Sequence, residues 1–170
     1  VMRHLHSRDA EYLDALSDRS QSTTSAASAM AILSRADEIG GGRVDAMASA
    51  HRIATRYEND ERIRTMCARV LPVTALLGET GATLTESEMN DLRQLAELPA
   101  ETLDVMLLAA DELCSTALPI GLPVEVRRSL LERFGMFGLR VVVDRLRGIP
   151  SVGAAAMAPA LVDMSGLPNV

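Results

Sequence analysis

The feature that most limits the fold is a pair of short apolar runs, Ala29-Met30-Ala31-Ile32-Leu33 and Val70-Leu71-Pro72-Val73, with helical periodicity between and after them. The first is too brief for a helix and is bounded by turn formers, so it reads as a buried strand. The proline in the second limits ladder bonding and makes it a short or edge strand. Between them a helix spans about Val44 to Tyr57, and Asn59-Asp60 starts a second, with Ile63, Met66 and Cys67 facing inward. Strand, helical crossover and strand imply a parallel sheet covered on both faces. The expected fold class is α/β and helix-rich.

The remainder reads as helix. Ser7 caps a short surface helix over residues 7–19, and Thr85-x-x-Glu88 is a capping box followed by Met89, Leu92, Leu95 and Ala96 at helical spacing. Pro99 opens the next helix and Pro123 another, in which Gly135 and Gly138 bracket a bend. Thr74 to Gly81 reads as the loop after the second strand. From Gly148 onward, the Pro, Gly and Ala content suggests a linker or disordered tail. With two Phe, two Tyr and no Trp, the core must be built from Leu, Val, Ile, Met and Ala.

Charge and residue usage exclude several functions. All 17 basic residues are arginines, so no Schiff base and no P-loop ammonium can come from this chain. A net charge of −6, with arginines alternating with acids, speaks against a nucleic-acid surface. Cys67 and Cys114 lack CxxC spacing and read as reduced, cytoplasmic thiols, with Cys67 a buried structural one. His4, His6 and His51 do not converge with a third ligand, and no metal site is assigned. The glycine-interrupted stretch around Phe134, Met136 and Phe137 reads as a linked pair of core helices rather than a membrane-contact element.

The segment richest in chemistry is Ile32-Leu33-Ser34-Arg35-Ala36-Asp37, with Gly40-Gly41-Gly42 close behind. In an open parallel sheet, ligands bind beyond the carboxyl ends of the strands, where this tetrapeptide lies. An ionised Asp37 can accept hydrogen bonds from guanine N1–H and the 2-amino group, a donor pair that adenine lacks. The stem or the planar guanidinium of Arg35 can lie over the base.

Ser34-Arg35-Ala36-Asp37 resembles a relaxed form of the N/T-K-x-D guanine-specificity motif of GTPases. Val73-Thr74-Ala75-Leu76 lies where the fifth GTPase motif would follow the next strand. The segments VMRHLHSRDAEYLDAL, AILSRADEIGGGRVDAMASA, VLPVTALLGETGATL and VRRSLLERFGMFGLR resemble actinobacterial dynamin-like GTPases, including the isoniazid-inducible group. The resemblance implies a partial P-loop GTPase-type three-layer fold. Residues 1–84 would be the carboxy-terminal part of the GTPase domain, residues 85–147 helices leading towards a stalk, and residues 148–170 the linker or tail.

It also implies GTP or GDP as ligand. Asp37 would read the base, Arg35 would cover the ring and the backbone near Ala75 would approach the guanine carbonyl, with Ser34, Thr74 and Leu76 as supporting loop positions. No catalytic residue is assigned. The sequence contains no G-x-x-x-x-G-K-S/T, and Val1-Met2 reads as the end of a strand whose beginning, with the Mg²⁺-handling motifs, would lie upstream. Hydrolysis is therefore expected only of a complete protein, which would self-associate and reach the membrane through other parts. The localisation implied is cytoplasmic or peripheral at the inner face of the cell membrane. The competing expectation is a helical interaction module that binds no nucleotide.

Overall fold

The computed structural model describes residues 29–115 and 121–170. The helix expected over residues 7–19, the strand end at Val1-Met2 and two of the three histidines lie outside them. Strand β1 (Met30–Ser34) leads through a 3₁₀ turn at Ala36–Glu38 and the glycine loop into α1 (Ala46–Glu58) and α2 (Glu61–Met66). Strand β2 (Arg69–Val73) follows and pairs with β1 in parallel, with Ile32 opposite Leu71, Leu33 opposite Pro72 and Ser34 opposite Val73. The rest is helical: α3 (Ala75–Ala82), α4 (Glu86–Ala96), α5 (Ala100–Met106), α6 (Ala110–Leu113), α7 (Val124–Gly148) and α8 (Ala154–Met164), ending in a 3₁₀ turn at Leu167–Asn169. The helix-rich α/β class is the one the two apolar runs implied.

Three local expectations need correction. Strand β1 is buried only towards its carboxyl end: Leu33 is inaccessible, whereas Met30 is 46% exposed. Thr74 to Gly81, read as a loop, is mostly α3, and its glycines serve packing. A Cβ on Gly81 would lie 3.0 Å from Ala158 O, Leu161 Cβ and Val162 Cγ2, so glycine lets α3 and α8 approach closely. Residues 148–170, read as a linker or tail, instead supply α8 and the final turn, and Met157 and Leu161 are fully buried. Small residues there are the surface against which α3 fits.

The described residues form two hydrophobic cores. The smaller joins Leu33 and Val70 from the strands to Ala36, Ala50, Ala54 and Ile63. The larger gathers Leu77 of α3, Met89, Leu92 and Leu95 of α4, Phe134, Leu139 and Val142 of α7, and Met157 and Leu161 of α8. Met47 packs against both. Each fully buried Leu, Met or Phe contributes about 1.5–3 kcal/mol.

Arginines on α7 and α4 fasten the helices at their ends. Arg147 donates to Ala96 O at 3.1 Å, in the last turn of α4, and to Leu98 O at 2.6 Å, just beyond it. Buried Arg127 donates to Leu113 O at 2.7 Å and Ser115 O at 3.0 Å, at the end of α6. Arg93 reaches Pro150 O at 3.3 Å and Val152 O at 2.8 Å, while Glu86 accepts from the Ala154 amide at 2.6 Å. These last contacts bind the turn before α8 to α4.

The capping box expected at Thr85 is present: Thr85 Oγ1 accepts from the Glu88 amide at 3.2 Å, and Glu88 Oε2 accepts from the Thr85 amide at 2.9 Å. Glu88 also accepts from Arg133 Nε at 2.8 Å. Burial raises the Glu88 carboxyl's pKa, but the bonds from Arg133 and Thr85 outweigh it, and the net shift is downward. A depressed carboxylate stabilises the fold above its unfolded pKa, and that contribution is lost as pH falls through the folded value. Glu88→Gln should therefore cost about 1 kcal/mol near neutrality. It should also flatten the loss of stability seen in denaturant titrations as pH falls below the ordinary value of 4.5.

Candidate functional site

The tetrapeptide after β1 folds tightly. Arg35 adopts φ 54 and ψ 42, left-handed angles that cost a non-glycine residue about 1–2 kcal/mol. The Glu38 amide then donates to Arg35 O at 3.0 Å, closing the 3₁₀ turn that carries Asp37. The guanidinium of Arg35 is exposed and pairs with the Glu38 carboxylate. Ser34 ends the strand half-buried. Beyond the turn, Gly40, Gly41 and Gly42 have φ 67, 73 and 69, so the tight loop foreseen after β1 is present.

The second loop is short. Thr74 is buried, its amide donates to Ser165 O at 2.9 Å, and its Oγ1 has no hydrogen-bond partner among the described residues. Ala75 and Leu76 are exposed in the first turn of α3, where backbone amides have no intrahelical acceptor.

The two loops meet at a break in α7. Gly135 has φ 62 and ψ 174 within an otherwise helical run, the bend expected at that position. A Cβ built on Gly135 would lie 3.6 Å from Leu76 Cδ2 and 3.7 Å from Asp37 Oδ2. Asp37 and Leu76 thus converge on one point that no side chain fills. Arg35 is directed to Glu38 and does not join them. The glycine loop lies on α7 just beyond the break: a Cβ on Gly42 would be 3.2 Å from Phe137 N and 3.3 Å from Met136 Cβ.

The sequence reading missed Arg140, which binds this loop, and Glu38, which competes for Arg35. A lone arginine in the apolar run Leu139 to Val143 is the signal for the first. Other candidates stay apart. His51 is exposed, its Nδ1 2.7 Å from Met47 O, and no group of three His, Cys, Asp or Glu among the described residues could hold a metal. Cys67 is half-buried at the end of α2, and burial pushes its thiol up, away from the reactive thiolate. An open depression lined by His51, Glu58, Arg69, Pro72 and Asn169 shares no residue with the Asp37 loop. No described helix is long and apolar enough to cross a membrane.

The chain is similar to the isoniazid-induced protein IniC of Mycobacterium tuberculosis, at 34% identity over 167 residues in each of two strains. The match covers 98% of this chain but only 32% of IniC, so the chain spans about a third of the length of the curated relatives it matches. This supports the isoniazid-induced group within the resemblance drawn from the sequence. The relative's name describes induction by isoniazid and says nothing of a ligand. No family model matches the chain, and no solved structure matches it significantly.

The Gly135 break should be intolerant of side chains. Gly135→Ala forces an L residue to a positive φ with an extended ψ, a region that is essentially glycine-only, and a cost of about 1–3 kcal/mol is expected. The added methyl makes only ordinary contacts with Leu76 and Asp37, so the loss should appear as a lower melting temperature with secondary structure intact in circular dichroism.

Proposed function

We propose that the loops after β1 and β2 form the base-reading part of a guanine-nucleotide site in a dynamin-like GTPase. The observation that carries this reading is the convergence of Asp37 and Leu76 at the Gly135 break, beyond the carboxyl ends of two adjacent parallel strands. In this reading Asp37 accepts from guanine N1–H and the 2-amino group, and an amide at the start of α3, near Ala75, donates to the guanine carbonyl. The unpartnered Thr74 hydroxyl and the strained Arg35 backbone are further support, since buried polar groups without partners and left-handed side chains cluster at ligand sites. To lie over the ring, Arg35 would have to leave Glu38.

The base fits the groups present; the phosphates do not. The chain has no lysine, and no P-loop sequence is found in it. GTP hydrolysis, Mg²⁺ binding, self-assembly and membrane remodelling are accordingly assigned to a complete protein, and guanine recognition to this segment.

Asp37→Asn, tested in a chimera carrying residues 1–170 in place of the matching third of IniC, should weaken GTP binding and improve relative binding of xanthosine triphosphate. The amide supplies a donor suited to the 2-oxo group of xanthine and sets it against a guanine donor. Loss of one charge-assisted bond costs about 1.5–3 kcal/mol. Unchanged preference in a competition assay would remove Asp37 from the site.

The 170-residue chain alone should release no phosphate above background from GTP, with or without Mg²⁺. Its base contacts amount to about two or three hydrogen bonds, partly offset by association entropy, so calorimetry should find GDP binding weaker than about millimolar. Multiple turnovers or micromolar binding would mean that a complete site of another design is present.

A further inference from the structure

The glycine loop that follows Asp37 is held chiefly by one side chain. Arg140 donates from Nη1 to Gly41 O at 2.8 Å and Gly42 O at 2.6 Å. Its Nε and Nη2 donate to Leu107 O at 3.1 and 2.5 Å, and Nη2 lies 3.3 Å from Leu108 O. One guanidinium thus joins three elements: the loop after Asp37, the carboxyl end of α5 and α7 just past its break. Three consecutive glycines in left-handed conformations have a large entropy to regain when released. Within the loop, Gly41 N–H to Glu38 O at 3.1 Å is a further tie. Lysine could not replace this arrangement, because its donors leave a single point while the arginine fork faces two sets of carbonyls at once.

We propose that Arg140 is the positioning residue of the base-reading site: by clamping Gly41 and Gly42 to α7 it fixes the turn that presents the Asp37 carboxylate, and so sets the preference for a base bearing a 2-amino group. This rests on the reading of Asp37 given above. Arg140 itself touches no base. Because the same guanidinium grips the end of α5, seating of the base turn and seating of that helix end are linked.

The test measures Kd for GDP and for inosine diphosphate, which lacks the 2-amino group, in the IniC chimera and its Asp37→Asn, Arg140→Ala and Arg140→Lys variants. Arg140→Ala is expected to lower the GDP-over-inosine ratio about tenfold, inosine diphosphate weakening less than GDP because it loses only the N1–H bond to Asp37. Mere destabilisation would reduce the folded fraction equally for both nucleotides and leave the ratio unchanged. Arg140→Lys should lower the ratio severalfold, and it decides the matter if Arg140→Ala fails to fold. If Asp37→Asn abolishes the preference while the Arg140 variants retain it, the role of Arg140 alone is overturned. A parent chimera without preference, or an Asp37→Asn variant that keeps it, overturns the guanine reading and the role of Arg140 with it.

Discussion

The helical part of this structure depends on one recurrent interaction: arginine side chains of α7 donating to the carbonyls left over at the ends of the preceding helices. Arg127 serves α6, Arg133 serves Thr83 at the end of α3, Arg140 serves α5 and Arg147 serves α4. They recur every six or seven residues, so α7 passes each helix end in turn with a cation in reach. Terminal carbonyls of a helix carry its partial negative charge, and a guanidinium satisfies two at once. The absence of lysine is thus more than a compositional bias, because Arg133, Arg140 and Arg147 each donate from more than one guanidinium nitrogen, a spread that an ammonium could not match.

This arrangement also explains why the candidate site lies where it does. The helix that collects the other helices is interrupted at Gly135, and the interruption faces both strand-following loops. Asp37 and Leu76 come from segments far apart in sequence, and they meet because α7 offers them a surface free of side chains at that point. Leu77, next to Leu76, is buried in the larger core, and Leu33, four residues before Asp37, in the smaller. Each loop is therefore anchored by a neighbouring core residue.

Much of this was legible from local chemistry. The two strands, their parallel pairing, the capping box at Thr85, the helix starts after Pro99 and Pro123 and the bend at Gly135 each follow from residue types within a few positions of one another. What was not legible depends on distant partners. Gly78 and Gly81 look like loop residues until α8 and the turn after it are laid against them, and the Ala- and Pro-rich segment before Val170 looks unstructured until α3 provides its other face. At the candidate site, the positions of Asp37, Thr74, Ala75 and Leu76 after strands could be read directly. The pairing of Arg35 with Glu38 and the clamp by Arg140 could not, because each depends on side-chain direction rather than on spacing.

The bond from the Thr74 amide to Ser165 O bears on the order in which the molecule assembles. The start of α3 obtains this backbone partner only from a residue near the end of the described chain, and α3 packs along α8, which is equally late in sequence. Contacts of such separation form after local ones, since the intervening chain must first be closed. During synthesis, β1, α1 and β2 can pair once residue 73 has emerged, but the loop that begins α3 must await almost the whole segment. A ribosome stalled between α7 and α8 would therefore display the Asp37 half of the site without a settled Thr74 half.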